Sequence, residues 1–360
     1  MSTDEIRKKA VEIILKASAR FRVPAYTVSA SQFWACAGDE ITDWQMRKIG
    51  SFTRVHELEF PVPVGAENVG KSSKYKQFTG SLTRLTNFTC HTIAVKDLFA
   101  GADLDPTDIF RLLVMPDAHV EEHDPYAMNA FCKFAQYYKP HGIVNLGDFM
   151  EMDAVTHWPA PDARPRRLVS QIETGQRILT EIDAACGKQC TFKRFLIGNH
   201  EDWLEQYLVG KIPEALYELE KLGVDLSIKE LLGLKRFGYE TIPLNEILRI
   251  GEHCHFIHGY YTGRYHAAKH LDVFGVNIYY GHLHDVQQFS TVSVNGVHEA
   301  MCLGCLRDMN APFLHGRPNN WSHAFGIFEF THDGFYTRYT PVIIEGKFSY
   351  HGKLFDGTKL

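Results

Sequence analysis

Apolar residues at positions 6, 10, 13, 14 and 17 recur at the spacing of one helical face and predict an amphipathic helix ending near Arg20. Ser29 or Ser31 can start a short second helix through Phe33, Trp34 and Cys36, and Gly38 breaks it. Thr42 then caps a further helix through Trp44, Met46 and Ile49 that Gly50 ends. Helix, glycine-containing turn and helix outline a small helical, helix-turn-helix-like domain over residues 1–60. Residues 61–108 keep no period and carry Pro61, Pro63 and the basic stretch Lys71, Lys74 and Lys76, which reads as a linker or extension.

From Arg111 short apolar runs alternate with longer amphipathic stretches: Leu112 to Met115, 125–138, Ile143 to Leu146, 167–186, Phe192 to Ile197. Such alternation predicts an α/β core. After about position 245 the runs become shorter and β-rich, from His255 to Ile257 through to Phe335 to Ile344, as expected of a second sheet packed on the first. The main domain is expected over 109–348, with a tail at 349–360.

Composition narrows the class. A chain of 360 residues with 45% hydrophobic residues and a formal charge of −5 has the material for a large core and is neither disordered nor fibrous. No run approaches the ~20 apolar residues that span a bilayer, and the opening residues lack the layout of a secretory signal, so a cytoplasmic protein without a membrane partner is expected. The 8 cysteines without small-scaffold spacing fit reduced thiols. Charge is uneven: residues 1–100 hold 14 Lys and Arg against 10 Asp and Glu, which leaves −9 for the rest. Arg47, Lys48 and Arg54 suit phosphate contacts, and DNA, single- or double-stranded, is the expected partner of this end.

Chemistry is concentrated where the apolar runs stop. They end in Asp117 and His119, in Asp148, in Asn199, His200 and Glu201, in His258, and in His282 and His284. Ligands at strand ends converge, because the carboxyl ends of the strands line the crevice of an α/β sheet. Glycines precede Asp148, Asn199 and His282, where the chain must turn sharply. Neutral imidazole with carboxylate oxygen suits borderline divalent ions, and seven such side chains exceed the needs of one ion. Two ions are therefore expected, Mn or Fe/Zn, with a hydroxide between them as the nucleophile for attack on phosphorus.

These five blocks resemble the signature of the calcineurin-like metallophosphoesterases, Asp-x-His, Gly-Asp, Gly-Asn-His-Asp/Glu, His and Gly-His-x-His, over about 110–345, and most resemble phage-type and repair-type nucleases of that superfamily. The resemblance implies a four-layer α/β/β/α sandwich. It implies one metal on Asp117, His119 and His284, a second on Asn199, His258 and His282, and Asp148 bridging them. It further implies His200 as the acid that protonates the leaving oxygen, with Glu201 as its orienter. A nuclease or other phosphodiesterase is the first expectation. A small-molecule phosphomonoesterase or nucleotide hydrolase, with residues 1–100 as lid or oligomerisation arm, is the alternative, and a non-catalytic DNA-binding protein is the third.

Around this set, Glu151 or Asp153 is expected to orient ligands, and His123 to touch substrate. Arg307 reads as a surface ion pair, with a phosphate clamp as the lesser reading. Cys302 and Cys305, with Cys186 and Cys190, read as packed thiols rather than a zinc site, and Trp158, Trp203 and Trp321 as fillers between layers rather than a base-stacking groove.

Overall fold

The computed structural model describes residues 3–21, 33, 36, 89–156, 167–294 and 296–359. The chain divides into two compact units, Met1–Thr79 and Gly80–Leu360. In the first unit, a helix spans Thr3–Phe21, and its buried side chains are Ile6, Ala10, Ile13, Ile14 and Ala17, the stripe set by the apolar spacing. Phe33 and Cys36 are helical and buried. The second helix expected at 42–49, Arg47, Lys48, Arg54, the linker to residue 88, and Trp158 lie outside the described residues.

The second unit is built on two six-stranded sheets. One runs in the order β12 (Tyr336–Tyr339), β11 (Gly326–Phe330), β2 (Phe110–Met115), β3 (Gly142–Asn145), β4 (Phe192–Leu196), β5 (Glu240–Ile242). The other runs β1 (Cys90–Ile93), β6 (Ile247–Ile250), β7 (Cys254–Phe256), β8 (Ile278–Tyr280), β10 (Gly296–Leu303), β9 (Val286–Ser293). Strands β2 to β5 are mutually parallel, as are β7 and β8.

Alternation along β2 shows how the layers form. Phe110, Leu112 and Val114 face a core shared with Leu248, Phe256, Tyr279 and Leu303 of the other sheet, whereas Leu113 and Met115 face the helices Pro125–Tyr138 and Leu168–Cys186. On the outer face of the second sheet, Ile278, Tyr280 and Ala300 pack on Leu271 and Phe274 of the helix His266–Phe274. Helix, sheet, sheet, helix is the four-layer α/β/β/α order. Asp124 caps the helix Pro125–Tyr138 by accepting from Ala127 N at 2.7 Å, and Pro125 opens it, which fixes the helix start implied by the periodicity.

Two stretches differ from the sequence reading. Residues 90–101, expected as linker, hold β1 and the helix Val95–Gly101; β1 is short and only half-buried, so no apolar run announces it. Residues 347–356, at the expected tail, form a hairpin of β13 (Lys347–Tyr350) and β14 (Lys353–Asp356), whose Phe348, Tyr350 and Phe355 surround Phe134.

Candidate metal centre

Every proposed ligand follows the carboxyl end of a strand: Asp117 and His119 after β2, Asp148 after β3, Asn199 after β4, His258 after β7, His282 and His284 after β8. Backbone bonds tie these tips together. Ala118 N and His119 N donate to Asp148 O, Gly281 N to His258 O, and Leu306 N to Asp117 O. Close approach explains two of the glycines. A Cβ at Gly281 would sit 2.0 Å from Asp117 Oδ1, and one at Gly198 would sit 2.2 Å from Asp148 N, so the crowding is between loops of the protein itself.

Among the described residues three groups have ligand-type atoms within 4.8 Å of one another: Asp117, His119 and His284; then Asp148, His258 and His282; and, sharing His119 with the first, His119, Glu151 and His200. In the first, His119 Nε2 is 3.1 Å from His284 Nε2, which is 3.2 Å from Asp117 Oδ2. In the second, Asp148 Oδ2 is 3.3 Å from His258 Nε2 and 4.0 Å from His282 Nδ1, and Asn199 Oδ1 is 3.0 Å from the same His258 nitrogen. All seven residues of the expected set are thus in or beside the first two groups.

Hydrogen bonds outside those two groups fix which imidazole nitrogen faces inward. His119 Nδ1 donates to Glu151 Oε2 at 2.7 Å, and His258 Nδ1 donates to Leu146 O at 2.9 Å, so each presents an unprotonated Nε2 to the pocket in its neutral form. Nδ1 of His282, 4.0 Å from Asp148 Oδ2, is buried with no hydrogen-bond partner. A buried, unpaired imidazole nitrogen aimed at a carboxylate costs free energy unless something shared fills the gap.

Electrostatics say what that something is. Burial works against the charged form of His258, yet Asp148 and then Asp117 overcome it and push its pKa up to about 10. Burial raises the carboxyl of Asp148, but His258 and His200 hold it well below the ordinary carboxylate range. Burial and then Arg307 lower His119 to about 3, and burial and then His258 lower His282 to about 4. The carboxylates attract one proton onto His258, whereas burial keeps His119 and His282 neutral. Two carboxylates, four imidazoles and one amide oxygen fit borderline divalent ions, which would supply the missing positive charge.

Backbone strain marks the same positions. His119 and Asp148 have φ of 46°, His282 of 68° and His284 of 65°. Positive φ is uncommon outside glycine, and four non-glycine examples in one pocket mean that the surrounding structure holds these side chains at a cost of about 1–3 kcal/mol each.

His200 has its Nδ1 on the carbonyl of Glu151 at 2.6 Å and its ring stacked on Trp203, with centroids 3.9 Å apart at 31°. Its Nε2 lies 3.9 Å from Asp148 Oδ2, leaving that nitrogen toward the pocket. Glu201 does not orient it, contrary to expectation. Successive residues on a helix point about 100° apart. Glu201 turns inward, where its Oε2 accepts from Asp148 N and Gly198 N, each at 2.9 Å, and its Oε1 from Met150 N at 2.8 Å. It is the N3 residue of the helix Asn199–Lys211 reaching back to the capping residue, a bond that a glutamate three residues after the cap can signal in sequence. Burial, then Asp148, pushes its carboxyl up to about 7.

Of the two acids expected to support ligands, Glu151 bonds His119, and Asp153 bonds Gln171. Arg307 is no surface pair. It is 2% exposed, and its fork meets Glu151 through Nη1 and, at 3.2 Å, through Nη2. His123 Nδ1 donates to the Val120 carbonyl. Cys186 and Cys190 lie in the helix-side core and Cys302 in the opposite one, so the four thiols do not converge.

No protein-family model and no curated protein matches the chain. Among solved structures, it is similar to a single mutant of Vps29 from Entamoeba histolytica at 12% identity and a TM-score of 0.35, covering 68% of this chain and 98% of that one. TT1561 from Thermus thermophilus aligns at 9% identity and a TM-score of 0.26, over 64% of this chain and 98% of that one. No helix among the described residues is long and apolar enough to cross a membrane.

Proposed function

We propose that the chain is a metal-dependent phosphoester hydrolase that cleaves phosphodiesters, with DNA as the substrate class and a pair of divalent ions as cofactor. The observation that carries the reading is the convergence of two ligand groups on left-handed backbone, with the tautomers of His119 and His258 fixed from behind. Asp117, His119 and His284 would hold one ion, and Asn199, His258 and His282 the other, with Asp148 between them. Bound divalent ions supply Lewis acidity toward phosphoryl oxygens and a water acidic enough to attack phosphorus near neutral pH.

The chain's own residues do the rest. Glu151 fixes the His119 ring, and Arg307 neutralises Glu151 so that the carboxylate is not left unpaired in a buried place. Glu201 holds the loop of Asp148 against Gly198. His200, anchored through Nδ1 and braced by Trp203, offers Nε2 as the proton donor to the leaving oxygen. The basic first hundred residues supply the charge that supports DNA as the partner, since the remainder is acidic.

The test is a Mn-loaded preparation offered single-stranded DNA, duplex DNA, and para-nitrophenyl mono- and diesters. Turnover of diesters and DNA is expected. Monoester-only turnover would reject the diester and DNA assignment, and no turnover of any substrate would reject the hydrolase.

A further inference from the structure

The segment between β10 and β11 runs beside His284 and carries two aromatic rings that belong to none of the three cores described above. Trp321 meets the His284 ring edge-on, with centroids 4.5 Å apart at 72°. Phe313 lies 5.9 Å from Trp321 and is 48% exposed. Both rings sit over the guanidinium of Arg307, whose Cζ is 5.3 Å from the Phe313 centroid and 5.9 Å from that of Trp321. Arg307 is committed to Glu151, so its cation serves the rings rather than a phosphate.

The backbone that presents Trp321 is pinned. Ser322 N donates to the carbonyl of His284 at 2.8 Å and Cys305 N to that of Ser322 at 3.0 Å, while Asn320 Nδ2 donates to Asp285 Oδ2 at 2.8 Å. A held indole next to a candidate ligand, with a half-exposed phenyl ring beside it, is a surface for a planar group attached to the reacting phosphate. An acidic catalytic unit makes charge a poor means of holding that group, whereas stacking on a π-face is indifferent to charge and sequence.

We infer that Phe313 and Trp321 form a stacking platform for an unpaired nucleobase flanking the scissile phosphate, so that single strands and unstacked ends are cleaved in preference to intact duplex. This rests on the phosphodiesterase reading above. A base inside a duplex has both faces covered and cannot reach the platform without unstacking. Base–aromatic stacking of about 1–3 kcal/mol corresponds to a preference of about 5- to 150-fold.

The experiment compares kcat/KM of the Mn-loaded full chain on an oligothymidylate, on a strand of equal length built from abasic units, and on a thymine–adenine duplex. A chromogenic diester reports on the same sample. The expected result is a base-over-abasic ratio of fivefold or more in the parent, slower cleavage of the duplex, and collapse of the ratio toward one in Phe313→Ala and Trp321→Ala. Trp321→Phe should retain most of it. Melting curves confirm that each variant is folded; Phe313→Ala removes an exposed ring and keeps the test open if Trp321→Ala unfolds. With the chromogenic diester turned over, a parent ratio near one, a ratio preserved in both alanine variants, or equal cleavage of duplex and single strand overturns the platform alone. With no diester turnover, the phosphodiesterase reading falls and the platform with it.

Discussion

Replacing Glu201 by glutamine keeps the side chain's shape and removes one acceptor. In the parent, its two oxygens receive three backbone N–H groups, from Asp148, Gly198 and Met150 at 2.8–2.9 Å, and the residue is 1% exposed. An amide can keep its oxygen on the Asp148 and Gly198 pair, but its NH2 then faces Met150 N, donor against donor. At a pH well above 7, where the Glu201 carboxylate is charged, one buried N–H left unpaired costs about 1–3 kcal/mol, and each retained bond weakens by roughly 1 kcal/mol as the acceptor loses its charge. The sum is about 3–5 kcal/mol, which lowers the midpoint of thermal unfolding by roughly 6–20 °C for a unit of this size. Scanning calorimetry on the full chain reads this directly, with turnover on an alkyl and a para-nitrophenyl ester measured in parallel. Because Glu201 does not touch the His200 ring, the relative rates on the two esters should match those of the parent even as the protein softens. A Glu201→Gln variant that melts with the parent refutes the clamp. A stable variant that loses turnover only on the alkyl ester restores Glu201 as the orienter of His200.

Three further outcomes are expected. His200→Ala should keep its metal content by elemental analysis and lose ~100-fold or more in turnover with a poor alkoxide leaving group, far less with para-nitrophenolate; loss of metal would make His200 a ligand. Chelation should lower the unfolding midpoint and Mn should restore it, since ligand at about 100-fold its Kd adds about 2.7 kcal/mol to the folded state; an unchanged midpoint would remove the two-ion centre. His255, buried and bonded through Nδ1 to the Asn277 carbonyl, has its pKa lowered by burial to about 4 from 6.5. The unfolded chain therefore takes the proton first, so stability is complete above about pH 6.5 and falls by on the order of 3 kcal/mol as pH drops to 4. His255→Asn should flatten that acid limb of the midpoint against pH, and an unaltered slope would show that His255 does not carry it.

The strands that bear the site were legible because their residues are almost all buried, so apolar side chains dominate each one before its polar terminus, with Asn145 in β3, Lys193 and Arg194 in β4 and His255 in β7 as interruptions. Asp117, Asp148 and His258 stand out for that reason. The helix over 125–138 matched its periodicity to the residue. What escaped notice was set by partners distant in sequence. Arg307 is buried because Glu151 lies beside it, 156 positions away, and nothing adjacent to either residue encodes the pairing. Glu201 was misjudged because neighbouring positions on a helix diverge, so adjacency to His200 implied a contact that the helical turn forbids. Trp203 packs against the helix-side core, as its reading as a filler expected, but its ring and that of Trp321 also close the two ends of a row running through His200, His119 and His284, with successive centroids 3.9, 4.6, 4.9 and 4.5 Å apart.

The left-handed backbone at positions 119, 148, 282 and 284 sets heat resistance and reactivity against each other at single sites. Glycine would relax each position, and asparagine would be tolerated better than most residues there, so a selection for thermal endurance alone would drift toward these replacements and extinguish the chemistry on the way. An inert, hardier scaffold is therefore one substitution from the working protein at any of four places.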